Sequence, residues 1–135
     1  MAAETLPRIR SAGLAAAAVL VVRGDELDPV LLAEDASRFH ERFPTWGRYG
    51  VSAFAAEATA EVDALCQSRL VRFATVAVFR QVDLEAAGIQ IEPTFRTPHV
   101  TLCHGNLSEL IERLLSCEHE VRVNPYTIHE EGVDP

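Results

Sequence analysis

Two strand-like runs, IQIEPTF from Ile89 and HVTLCH from His99, follow one another with no helical segment between them. Pro93 breaks the first and Pro98 opens the second, as proline does at strand ends. Elsewhere strands lead into strands as often as into helices, a mixed order that favours an α+β fold over a doubly wound parallel sheet. The expected architecture is a single α+β domain over residues 1–128, with a mixed or antiparallel sheet of five to six short strands and two main helices. An acidic tail, residues 129–135, follows it.

The run ending in VLVV, up to Val22, reads as a strand covered on both faces, stopped by Arg23-Gly24-Asp25. PVLLA (29–33) reads as a second strand, with Asp35 capping one helical turn after it. GVSAFAA alternates so that Ser52 and Phe54 share a face. A helix is expected over residues 57–67, where Ala58, Val62 and Leu65 form one stripe. RLVRFATVAVF (69–79) reads as the strongest strand. DLEAAG reads as a helical turn with Asp83 as N-cap and Gly88 as its left-handed stop. Asn106 caps a helix whose apolar face is Leu107, Leu110, Ile111, Leu114 and Leu115, and a last short strand runs through VRV.

All 12 basic residues are arginine, which removes lysine Schiff-base chemistry and the P-loop lysine. The net charge of −8 argues against direct nucleic-acid binding unless arginines cluster locally, and suits a basic protein partner instead. Three cysteines form no disulfide framework, which points to a reducing, cytoplasmic setting. The apolar run before Arg23 follows two arginines as in a signal peptide, but no small-residue cleavage site follows it and it is too short to span a bilayer, which takes about 20 residues, so it reads as buried core. Cys66 and Cys117, beside leucines, read as buried thiols, and Cys103, His104, Cys117 and His119 match no common zinc spacing, so no metal is expected.

VVRG, GVSAF and IQIE occur in that order. This succession resembles compact ADP-ribosyltransferase-like (RES-like) toxin domains of toxin–antitoxin modules, in which an arginine, a serine and a Gln-x-Glu or Glu-x-Glu pair share one site. The resemblance implies NAD as substrate, with ADP-ribosyl transfer or NAD glycohydrolysis as the activity and an antitoxin as possible partner. It implies Arg23 on the pyrophosphate, Ser52 on the ribose, and Glu92 with Gln90 at the developing cation. In the loop FHERFPTWGRYG, Trp46 and Tyr49 would supply a stacking platform, or form a satellite core with Phe39 and Phe43. The same polar residues also fit a solvent-facing strand end and strand face, as in a non-catalytic interaction module.

His99-Val100-Thr101-Leu102 is similar to one half of the paired His-x-Thr/Ser signature of 2H phosphoesterases. That implies a phosphodiester- or RNA-directed enzyme, since a histidine near its ordinary pKa can act as acid or base. Alternation puts His99 and Thr101 on one face, but no other histidine of the chain has the motif.

Overall fold

The structure, a computed structural model, describes residues 20–24, 27–95 and 98–127. The expected tail and the start of the apolar run before Leu20 lie outside these residues. Six strands are described: β1 (Leu20–Gly24), β2 (Tyr49–Ala56), β3 (Thr75–Arg80), β4 (Gln90–Pro93), β5 (His99–His104) and β6 (His119–Val123). They form one antiparallel sheet in the order β4-β5-β2-β1-β3-β6. Four α-helices accompany it: α1 (Pro29–Arg42), α2 (Thr59–Gln67), α3 (Gln81–Ala86) and α4 (Leu107–Ser116). The α+β expectation therefore holds, with the sheet wholly antiparallel.

Strand alternation divides the core in two. On the first face, Val21, Val51, Ala53, Ala77, Phe79, Val100 and Leu102 meet Leu32 and Ala36 of α1 and Leu110 and Leu114 of α4. On the second face, Val22, Ala56, Val76 and Val78 meet Val62, Leu65 and Cys66 of α2, and Leu70 just after it. The cover of α2 thus lies over β1, β3 and the Ala56 end of β2, and the rest of the second face of β2, with β5 and β4, carries Ser52, Thr101, His99, Gln90 and Glu92 beside Phe54 and Cys103. That uncovered half positions the site.

Three expectations along the chain fail, each for a local reason. PVLLA is not a strand but the first turn of α1. The Asp28 carboxylate accepts from the amides of Val30 (2.8 Å) and Leu31 (3.2 Å), and Pro29 at the first helical position needs no amide partner. Leu32, Ala36, Phe39 and Phe43 then recur at helical spacing, so the 3.6-residue period outweighs the short apolar run.

RLVRFATVAVF is a strand only from Thr75. Its first half wraps under α2, with the Leu70 amide on the Leu65 carbonyl at 2.8 Å and Leu70 buried against the second face. Helix α3 begins at Gln81 rather than Asp83, whose carboxylate takes the Arg80 guanidinium (2.9 Å). Gly88 adopts φ +84° and ends that helix as expected. Asn106 caps α4 through Glu109 N–H (2.9 Å). No helix among the described residues is long and apolar enough to cross a membrane.

Because α4 is held by a narrow stripe, substitutions along it should separate cleanly. Leu110→Ala, at a fully buried position, is expected to cost about 2–5 kcal/mol of unfolding free energy. Leu115→Ala, on the exposed side, is expected to cost less than about 0.5 kcal/mol in the same urea titration.

Candidate functional site

β1 pairs with β3 as far as Gly24 but with β2 only as far as Val22. Past that point the backbone N–H and C=O of Ser52 lose a strand partner on that side. A buried strand cannot leave such groups unpaired without a cost of about 1–3 kcal/mol each. Side chains replace the missing ladder: Asp35 Oδ2 accepts from Ser52 N–H at 3.1 Å, and Arg23 Nη1 donates to Ser52 C=O at 2.9 Å. The two side chains also pair with each other at 2.8 Å. Arg23 and Asp35 thereby fix the strand position that bears the Ser52 hydroxyl.

Across the sheet, Ser52 lies opposite Thr101, which lies opposite Glu92, so the three form one cross-strand row. Gly50, Cys103 and Gln90 form the next row, and Phe54 faces His99. All of them belong to the second face. The Ser52 hydroxyl reaches His99 Nε2 diagonally at 2.6 Å. The other ring nitrogen, Nδ1, lies 3.0 Å from Thr94 Oγ1, itself 2.7 Å from Thr101 Oγ1. Thr94 and Thr101 are both buried.

Burial lowers the His99 pKa below its ordinary 6.5. A backbone hydrogen bond at Thr94 opposes this, Arg69 adds to it, and Asp35 opposes it. With the ring hydrogen on Nδ1, Nε2 accepts from the Ser52 O–H and Nδ1–H donates to Thr94 Oγ1. The ring is further held edge-on by Phe54 (5.2 Å between centroids) and Phe95 (5.1 Å). Phe95 is a non-glycine residue in the left-handed region, φ 56°, a conformation that costs on the order of 1 kcal/mol or more.

Two cavities meet at Ser52. One, of about 210 Å³, is lined by His99, Thr101, Ser52, Phe95, Arg38 and Arg42 among others. The second, of about 410 Å³, shares Ser52, Asp35 and Arg38 with it and extends to Arg69, Arg72 and Phe73. Arginines stand over aromatic rings along this groove: Arg42 over Phe43 and Phe95, Arg69 over Phe54, Arg72 over Phe73. The larger cavity carries both signs of charge, with Asp28, Glu34 and Asp35 beside Arg23, Arg38, Arg69 and Arg72.

Of the expected site residues, Ser52, His99, Thr101, Gln90 and Glu92 share one sheet face, brought together by the β2–β5–β4 register. The Glu92 carboxylate takes the Gln90 amide at 2.8 Å. Arg23 is adjacent to Ser52, with its guanidinium held by Asp35 and the Ser52 carbonyl. Tyr49 alternates onto the first face, where it stacks on His40 (4.3 Å). Trp46 packs edge-on against Phe39 (5.5 Å), which lies 5.1 Å from Phe43, so the loop aromatics form a satellite core whose Phe39 and Phe43 line the smaller cavity. The Cys103 thiol is pushed up to about 12 by burial, then by Glu92, against Arg48, and is held as an inert Sγ–H. Asp35, Thr94, Phe95, Arg38 and Arg42 were not among the expected site residues. No family model, curated protein or solved structure matches the chain.

Two stability effects follow. Because the His99 pKa is lower folded than unfolded, the unfolded chain binds more protons between those values. The stabilisation is complete above about pH 6.5 and is lost as pH falls through the folded value. Thermal melts should therefore fall as the pH drops below 6.5, and His99→Gln should flatten that slope. Asp35→Ala, which leaves the Ser52 amide and Arg23 without their acceptor, should cost about 1–3 kcal/mol in denaturant titration.

Proposed function

We propose that the groove is the active site of a hydrolase or transferase acting on a phosphate ester, with Ser52 and His99 as its reacting pair. The observation that carries this reading is the 2.6 Å contact between Ser52 Oγ and His99 Nε2, with Nδ1 anchored at Thr94 and arginines lining the adjoining cavity. In this reading His99 Nε2 accepts the hydroxyl proton as Ser52 Oγ attacks phosphorus. The bond from phosphorus to the leaving oxygen breaks, and the imidazolium returns the proton to that oxygen. Water or a second alcohol then releases the phosphoryl group by the same proton exchange in reverse.

Acyl transfer fits less well, because its oxyanion is commonly held by backbone amides near the nucleophile. The Ser52 amide is taken by Asp35, and Ala53 belongs to the paired region of β2 and β5. The smaller cavity is lined by Arg38 and Arg42, whose planar guanidinium forks match phosphate oxygens. The partner position that a 2H-like pair would give to a second histidine is Gly50, two residues before Ser52 as His99 is two before Thr101. Phe39 and the Thr101 side chain crowd the space a side chain at Gly50 would need. One histidine, with Ser52 as its partner, is what supports a serine-dependent route here.

A second reading, transfer or hydrolysis at an NAD-type dinucleotide, is favoured by the row Ser52, Thr101, Glu92 on one face. At about 4.8 Å per strand, Glu92 lies about 10 Å from Ser52, so ribose and carboxylate would have to meet across Thr101. Three free, buried cysteines support the reducing, cytoplasmic setting for either activity.

Turnover of bis(p-nitrophenyl) phosphate and p-nitrophenyl phosphate tests the first reading, and release of nicotinamide from NAD tests the second. Ser52→Ala and His99→Gln should each lower phosphate-ester turnover by about 100-fold or more, with circular-dichroism melts at pH 7.5 that stay cooperative. The acid limb of the pH–rate profile should have its midpoint below 6.5. Unchanged turnover in either variant would remove the pair from the chemistry.

A further inference from the structure

Among the described residues, the edge strand β6 is uncovered along its outer side, and it carries the sequence His119-Glu120-Val121-Arg122-Val123. Its hydrogen-bond phase follows from one contact: Asn124 N–H donates to the Ala74 carbonyl at 2.8 Å, continuing the β3–β6 register. In an antiparallel ladder, alternate residues direct both backbone groups to the same neighbour. Glu120 and Arg122 therefore bond to β3, and His119, Val121 and Val123 turn their N–H and C=O outward. Val121 is 48% exposed and Val123 77%, so this edge is unprotected by bulk as well as by pairing.

The strand is complementary to itself. If two copies pair antiparallel about Val121, that residue meets its own copy, and His119 meets Val123 of the second copy, in the hydrogen-bonded positions. Glu120 then faces Arg122 of the other chain in the closely spaced, non-hydrogen-bonded positions, where cross-strand charge pairs act most strongly. Within one chain Glu120 and Arg122 already pair at 2.9 Å. Two strands so arranged place the four charges in an alternating square, each beside opposite charges only. The other edge strand, β4, offers no such match, since it is shorter and ends at Pro93, which has no amide to donate.

We infer that the chain forms a two-fold homodimer through β6, joining two sheets into one continuous antiparallel sheet. The uncovered second face of β2 and β5 is remote from this edge in the strand order, so the groove stays open in the dimer. The occupant is a second copy of this chain because the edge supplies its own charge complement, as an isologous contact requires.

Sedimentation equilibrium of the full chain over a range of concentrations tests this through charge reversal. The unaltered chain should show a monomer–dimer equilibrium. E120R sets an introduced arginine against Arg122 of the other copy, and R122E sets an introduced glutamate against Glu120, so each variant alone should sediment as monomer. An equimolar mixture of E120R and R122E pairs opposite charges at both positions and should recover the dimer. A monomeric unaltered chain at every concentration overturns the inference. So do single variants that remain dimeric, which would place the interface elsewhere, or a mixture of folded variants that stays monomeric. Circular-dichroism melts of both variants establish that they are folded.

Discussion

The ion pair of Arg23 and Asp35 occupies the place of a missing strand partner, and the candidate site depends on that substitution. Had β1 paired with β2 beyond Val22, a backbone would have run beside Ser52 where the two cavities now meet. A guanidinium and a carboxylate satisfy the same N–H and C=O while leaving open space over the hydroxyl. The pair is partly shielded, with side-chain exposures of 14% and 29%, so its Coulomb attraction is less screened than that of a surface pair. The structural role of Arg23 and its nearness to the groove are therefore one fact.

A second constraint is the division of labour between the sheet faces. The first face is closed by α1 and α4 and supplies much of the core. The second is closed by α2 over β1, β3 and the Ala56 end of β2. Polar side chains on the remaining half satisfy one another: Ser52 with His99, His99 with Thr94, Thr94 with Thr101, Gln90 with Glu92. Burial around His99 then favours its neutral form, which is the form that can accept a proton. Packing and chemistry are coupled at that ring, because the same aromatic contacts that exclude water also orient it.

Period-two alternation made the strands bearing Ser52 and His99 legible in the sequence, and with them the pairing of His99 with Thr101 and of Gln90 with Glu92 on a face within each strand; that these and Ser52 share one sheet face depends on cross-strand register. Asn106 and Gly88 announced helix ends through cap chemistry that is local by nature. Helix α1 was obscured because PVLLA is apolar enough to pass for a strand, although Asp28-Pro29 is a helix-start signal of the kind that locates such boundaries. RLVRF misled for the related reason that its apolar residues pack as an irregular segment under α2. The contributions of Asp35, Arg38 and Arg42 depend on where α1 docks, and that of Thr94 on the turn between β4 and β5. No periodicity encodes either placement.

The state of one imidazole is the most direct test of the site. Nitrogen-15 spectra of the histidine side chains, with His99 assigned through His99→Gln, report tautomer and protonation together. A neutral ring above pH 6.5, hydrogen on Nδ1, with an apparent pKa below 6.5 and an Nε2 resonance that moves in Ser52→Ala, is the expected result. An Nε2–H tautomer, or a pKa at or above 6.5, would contradict a Ser52–His99 pair poised for proton transfer.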